Sequence, residues 1–125
     1  NCTNLRFICA DATKYDYSLI EAIDYITLSN VFEHIEDRIG FLKSLNNKVN
    51  WTNEPHYLIR VPMINRHWVV YLKKQLGIEH RLDKTHFIEY TKESFYKEMN
   101  EANLEVVNFD VKWGEIYAKC KIKTL

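Results

Sequence analysis

Apolar and polar positions along this chain follow two rhythms, and together they outline a mixed α/β domain. Residues 5–10 (LRFICA) alternate, with Leu5, Phe7 and Cys9 on one face, and stop at Asp11. Residues 25–28 form an apolar and β-branched run behind Asp24 that leads into polar Ser29 and Asn30, the pattern of a buried strand. Residues 56–61 (HYLIRV) repeat that character and are closed by Pro62, which cannot donate to a ladder. Residues 104–111 and 115–122 alternate again around a turn at Trp113-Gly114, placing Ile116, Ala118, Cys120 and Ile122 opposite Tyr117, Lys119 and Lys121.

The helical rhythm lies between these strands. Residues 16–22 form a short helix capped by Asp16 or Ser18. Ile35, Ile39, Leu42, Leu45 and Val49 recur at steps of three and four, a stripe that packs on a sheet. Asn65 caps a helix to Leu76 with Trp68, Val69, Leu72 and Leu76 buried and Gly77 as its stop. Met63, His67, Trp68 and Tyr71 offer a second role for that stretch, as aromatic walls of a lid. Thr91 caps residues 92–102, with Phe95, Met99 and Ala102 inward. The connection over residues 46–55 reads as a long loop.

Composition narrows the field. The 125 residues suffice for one domain or part of one. Seventeen basic residues balance seventeen acidic ones, which argues against a nucleic-acid or membrane-surface partner and for a small molecule. Three cysteines, Cys2, Cys9 and Cys120, odd in number and with no C-x-x-C pair, indicate neither a disulfide framework nor a zinc site, and fit a reducing, cytoplasmic setting. Neither an export signal nor an eighteen-residue apolar span is present. The triplets beginning at Asn1 and Asn50 match a glycosylation acceptor, but without a secretory route they carry no weight. The first residue is Asn, as expected of a piece of a longer protein.

Ligands in open α/β sheets bind beyond the carboxyl ends of the strands, which puts Ser29, Asn30, Glu33 and His34 at a candidate crevice. The stretch DYITLSNVFEHI (24–35) resembles the fourth-strand motif of class I S-adenosylmethionine-dependent methyltransferases. DKTHF (83–87) and YTKESFYKEMNEANLEV (90–106) resemble the segment after the fifth strand in the small-molecule branch of that family. The likeness covers the later two-thirds of such a domain. It implies a partial Rossmann-like methyltransferase sheet with helices on its faces and a closing antiparallel hairpin, over residues 1–125 as one partial domain. Asp11 and Ala12 would meet the adenine of S-adenosylmethionine, and Ser29 and Asn30 would complete the cofactor rim. The plain reading of Asp11 is a turn acid.

Gly40, Gly77 and Gly114 are the only glycines and none neighbours another, so the strand, glycine-rich loop and helix that hold the cofactor's methionine moiety are missing from this chain. The resemblance therefore implies a methyltransferase fragment, inactive alone, with an open sheet edge at residues 25–28 that is covered by pairing with another chain, a second copy included, or by a rearranged first strand. Where the acceptor must lose a proton, His34 and His86 are the candidate bases; capping, packing or a bond from His86 to Asp83 are their structural roles. Some family members hold a divalent ion on a Glu-x-x-Glu-His arrangement. The first Glu is Asn30 here, which lowers the charge that draws a hard cation, so we expect no metal, keep one only as the lesser option, and read Glu33 as a helix-start or hydrogen-bonding acid. Two other functions compete: a non-catalytic methyltransferase-like assembly domain, and another nucleotide-binding α/β protein such as a reductase fragment, which both motif blocks oppose.

Overall fold

Ile23, Tyr25, Ile26 and Thr27 favour a pleated backbone, and they lie in β1 (Ile23–Ser29) of the computed structural model, which describes residues 3–124. Helix α1 (Arg38–Lys48) follows, capped by Asp37, whose carboxylate accepts from the Gly40 N–H at 2.9 Å. β2 (Trp51–Pro62) then runs parallel to β1, pairing Tyr25 with His56 and Ser29 with Arg60. After α2 (Trp68–Gln75) and α3 (Lys92–Glu101), β3 (Leu104–Lys112) and β4 (Glu115–Ile122) close the sheet in the order β1-β2-β4-β3. β4 is antiparallel to both of its neighbours. The β3–β4 turn uses Trp113 and Gly114, both with positive φ (51° and 72°), the mirror-type turn whose twist suits a hairpin.

One face of this sheet is the core. Leu28, Tyr57, Ile59, Val61, Ile116, Ala118 and Cys120 pack against Phe41, Leu42 and Leu45 of α1 and Phe95 and Met99 of α3. The expected alternation in β4 is therefore the one observed. The opposite face carries Tyr25, Thr27, Leu58, Arg60, Tyr117 and Lys119, and a shallow groove of about 490 Å³ runs across much of it, lined also by Ser29 and Asn108. Parallel strands are normally covered on both faces, so this one has the surface of a sheet that another layer would complete.

Several expectations change. Residues 5–10 do not form a strand; Leu5, Ile8 and especially Phe7, 87% exposed, lie in open chain. A strand needs a partner for its backbone groups, and among the described residues β1 takes its ladder bonds from β2 alone. The long loop is not there either, because β2 begins at Trp51 and only Val49 and Asn50 separate it from α1. Asn65 is drawn into a 3₁₀ turn (Ile64–Arg66), so α2 starts later, capped by His67 through the Val69 N–H. That shift turns Val70 inward and leaves Trp68 71% exposed, with Leu72 and Leu76 also outside; Trp68 does not pack. The helix over residues 16–22 shrinks to a 3₁₀ turn (Tyr17–Leu19), capped by Asp16 as expected. Among the described residues, no helix is long and apolar enough to cross a membrane. Cys9 and Cys120 are free thiols; Cys2 and the acceptor triplet at Asn1 fall outside the described residues.

Candidate functional site

β1 delivers its carboxyl end to a tight reversal. Asn30 adopts a left-handed conformation (φ 52°), which its short amide side chain tolerates better than most, and its N–H donates to the Arg60 carbonyl at 2.9 Å. The chain drops at once into a 3₁₀ turn (Phe32–His34). Phe32 is fully buried, stacked on Tyr90 at 6.2 Å, and anchors that turn. Glu33, next to it, is 1% exposed. His34 faces outward.

A second segment closes over the first. The Phe87 N–H donates to the Glu33 carbonyl at 2.9 Å, which holds residues 81–89 against the end of β1. Inside that loop the Asp83 carboxylate accepts from the Thr85 N–H (2.8 Å) and hydroxyl (2.7 Å), and the His86 N–H donates to the Asp83 carbonyl (3.0 Å). His86 is buried and bonded to Asp83 as expected, though through its backbone N–H, while its ring pairs through Nδ1 with Glu89 Oε1 at 2.9 Å. Glu89 Oε1 also accepts from the Leu82 N–H at 2.9 Å.

His34 and His86 therefore meet, edge to face, with ring centroids 4.7 Å apart. His34 Nδ1 lies 2.9 Å from the Thr85 hydroxyl and 3.3 Å from the Thr85 carbonyl, and its Nε2 lies 3.9 Å from Glu33 Oε1. Burial pushes the Glu33 carboxyl above its ordinary range, against the opposing pull of its own backbone N–H and the two histidines. Its second oxygen, Oε2, is buried without a hydrogen-bond partner among the described residues. Glu33, His34 and His86 are thus a carboxylate and two imidazoles converging at the mouth of the sheet, able to relay a proton or to ligate a cation.

The other expected site residues are placed unevenly. Ser29 and Asn30 adjoin this cluster in the chain, and Ser29 also lines the groove on the open face. Asp11 and Ala12 belong to the N-terminal stretch. Asp11 is a turn acid that accepts from the Thr13 N–H (2.9 Å) and hydroxyl (2.7 Å), which lowers its pKa. The Ala12 carbonyl accepts from the Tyr17 hydroxyl at 2.8 Å, beside a small hollow lined by Ile8, Ala10, Tyr15 and Ile20 in which neither Ser29 nor Asn30 takes part. Sequence reasoning missed Glu89 altogether. Its signal was an acid between Ile88 and Tyr90, three residues after a histidine.

No protein-family model matches the sequence, and no curated protein matches it. Solved structures do resemble its fold. A chain of the complex between the Haloferax volcanii Trm112 methyltransferase activator and a protein described as a methyltransferase superposes with TM-score 0.69 at 11% identity, covering 99% of this chain and 64% of its own. An S-adenosylmethionine-dependent methyltransferase from Clostridium acetobutylicum ATCC 824 gives 0.65 at 13% identity, covering 95% of this chain and 65% of its own. OxaC gives 0.65 at 13% identity, covering 91% of this chain and 29% of its own. The chain spans less than two-thirds of the length of each of these structures. What the likeness establishes is the fold: a mixed α/β, Rossmann-like sheet of the kind found in methyltransferases.

Proposed function

We propose that this chain is the later part of an S-adenosylmethionine-dependent methyltransferase that acts on a small molecule in the cytoplasm. The observation that carries the reading is the end of β1, where Ser29 and left-handed Asn30 lead directly into a buried carboxylate and two facing histidines. Ser29 and Asn30 supply the cofactor rim, with Asp11 and Ala12 turned to the adenine once the N-terminal stretch is paired. Transfer of a sulfonium methyl needs alignment and exclusion of water more than covalent help from the protein. Where the acceptor is an alcohol or amine, His34, the more exposed of the pair, takes its proton, and His86 holds His34 in place. With no glycine-rich loop in its sequence, the chain binds cofactor weakly and does not turn over alone.

Calorimetric titration with S-adenosylhomocysteine tests this without knowledge of the acceptor. The reading expects heat that is reduced in Asp11→Ala and Asn30→Ala and strengthened when the missing sheet portion is supplied by another chain. Absence of binding in both settings would overturn it.

A second reading, a non-catalytic assembly domain, is favoured by the free edge of β1 and by the open face, on which Tyr25 and Leu58 are exposed. On this reading two copies pair through β1. Sedimentation should then show a dimer that Tyr25→Lys, on the edge strand itself, dissociates, with no response to S-adenosylhomocysteine.

A further inference from the structure

Helix α2 rests on the protein through little more than one residue. Within it only Val70 is buried and Val69 half-buried, and residues 71–79 are all exposed. Its composition is the opposite of what such exposure calls for, since Trp68, Tyr71, Leu72 and Leu76 all stand outside. At roughly 100° per residue these four share an arc of roughly 140° on the side away from Val70. The helix therefore sits on a valine and presents its apolar stripe to solvent.

The stripe continues past both ends of the helix in ordered chain. The Gly77 and Ile78 N–H groups donate to the Lys74 and Lys73 carbonyls at 3.1 and 3.2 Å, a helix-ending motif that folds exposed Ile78 back beside the last turn. At the other end the β3–β4 turn abuts Arg66, whose Cα would lie 2.6 Å from a Cβ on Gly114, and the Met63 N–H donates to the Gly114 carbonyl at 2.8 Å. That contact sets Trp113, 90% exposed, near the start of α2. Two of the three tryptophans thus stand in solvent at one end of the molecule.

Charge decides what such a surface fits. Residues 66–81 hold four basic side chains and one acid, a concentration that the balanced charge of the whole chain averages away. Arg66 and Arg81 are paired, with Glu115 and Glu79, whereas Lys73 and Lys74 have no ion-pair partner among the described residues. On the helix these two lysines lie to either side of Val70 and so border the stripe. An apolar face bordered by cations, with tryptophan at its edge, is the make-up of a helix that lies in a membrane surface, its apolar side chains among the acyl chains and its lysines at the level of the phosphates. A second copy fits less well, because a twofold pairing of this face would gather four unpaired lysines in one interface. Eight residues span roughly 12 Å, too short to cross a bilayer and sufficient to lie along it.

We propose that α2 and its flanks dock this protein reversibly on an anionic membrane surface, with Trp68, Leu72 and Leu76 entering the lipid and Lys73 and Lys74 meeting lipid phosphates. The contact uses none of Glu33, His34 and His86 and needs no cofactor, so it stands or falls apart from the methyltransferase reading.

The test is sedimentation of the 125-residue chain with vesicles of equal parts phosphatidylcholine and phosphatidylglycerol, beside vesicles of phosphatidylcholine alone, with tryptophan emission read on the same samples. Anionic vesicles should carry the protein down and shift its emission to the blue. Neutral vesicles should bind it far more weakly, and added salt should release it. Lys73→Gln with Lys74→Gln should weaken binding by about 25-fold. Leu72→Gln with Leu76→Gln should weaken it by about 100-fold. All four positions are exposed and Gln suits a helix, so these variants keep the fold, which circular dichroism checks. Trp68→Phe should diminish the blue shift, and Leu58→Gln, on the open sheet face, should change nothing. No binding to anionic vesicles, equal binding to neutral ones, binding indifferent to the lysine and leucine pairs, an undiminished shift in Trp68→Phe, or dependence on Leu58 would each overturn the proposal. So would a dimer in solution that the Leu72→Gln, Leu76→Gln variant dissociates, which would make α2 a face between two copies.

Discussion

Arg38 and Glu98, sixty positions apart, join the start of α1 to the end of α3 in a fork of hydrogen bonds. Arg38 Nη2 donates to Oε1 at 2.7 Å, and Nε reaches both carboxylate oxygens at 3.1 and 3.0 Å. The Tyr90 hydroxyl donates to the same carboxylate at 2.6 Å, and Arg38 Nη1 donates to the Ile35 carbonyl at 3.0 Å. Burial alone would lower the arginine's pKa; the Glu98 carboxylate outweighs it and the net shift is upward. Ile35 and Tyr90 flank the turn and the loop that carry Glu33 and His86, so this ion pair braces the candidate site from behind.

Removing one partner should therefore cost more than removing both. Arg38→Met or Glu98→Leu leaves a nearly buried charge without its ionic partner, held only by the Tyr90 hydroxyl or the Ile35 carbonyl, which costs about 3–5 kcal/mol. The double variant Arg38→Met, Glu98→Leu fills the space with apolar atoms and should lose clearly less than the sum of the single changes. Urea denaturation of the four proteins gives the coupling energy directly. Strict additivity would mean that the fork is ornamental.

The sheet was largely legible because its signals are local. Residues 56–61 and 115–122 announce their buried faces by alternation, and Thr91 announces α3, where it forms a reciprocal cap with Ser94. Residues 5–10 show the limit of that method: Leu5, Phe7 and Cys9 alternate as a strand should, yet a strand exists only if a neighbour accepts its bonds, and sequence does not supply one. α2 failed for a subtler reason. The 3₁₀ turn over Ile64–Arg66 moved its start, and a small change of phase was enough to exchange Trp68 for Val70 on the buried side. In the site, His34 and His86 could each be singled out by chemistry. That they touch, and that Glu89 pairs with one of them, depends on a loop whose path no periodicity encodes.

Gly114 should resist substitution. Its φ of +72° is costly for any side chain, and a Cβ there would lie 2.6 Å from the Arg66 Cα, a backbone atom that cannot step aside. Gly114→Ala should lose about 2–3 kcal/mol, from left-handed strain plus displacement of the residue that pairs with Glu115. Gly77 has a similar φ of +69° but open space around it, so Gly77→Ala should cost only the strain. Thermal unfolding of the two variants should rank them in that order.

The two described thiols should differ sharply in reactivity. Burial in the β2–β4 core pushes the Cys120 pKa up to about 12, so almost no thiolate exists near pH 8, and the atom is shielded as well. Cys9 is exposed. Iodoacetamide at pH 8 followed by peptide mass analysis should modify Cys9 in the folded protein and Cys120 only after urea. Rapid native modification of Cys120 would show that the core opens there.

Glu115 gives the protein an acid-sensitive element of its own. It is buried at the start of β4, hydrogen-bonded to Arg60 and ion-paired with Arg66 at 2.9 Å. Burial opposes its ionisation, but the two guanidinium groups prevail and hold its pKa below the ordinary 4.5. The unfolded chain then takes up a proton near pH 4.5 that the folded chain still refuses. Stability contributed by this carboxylate is complete at neutral pH, declines as pH falls below 4.5, and is gone once pH passes the folded value. Glu115→Gln should be less stable than the parent at pH 7, and the gap should close as the pH is lowered through that window. Urea midpoints measured from pH 7 to pH 3 provide the comparison. Curves that stay parallel throughout would show that Arg60 and Arg66 do not hold the carboxylate in the folded protein.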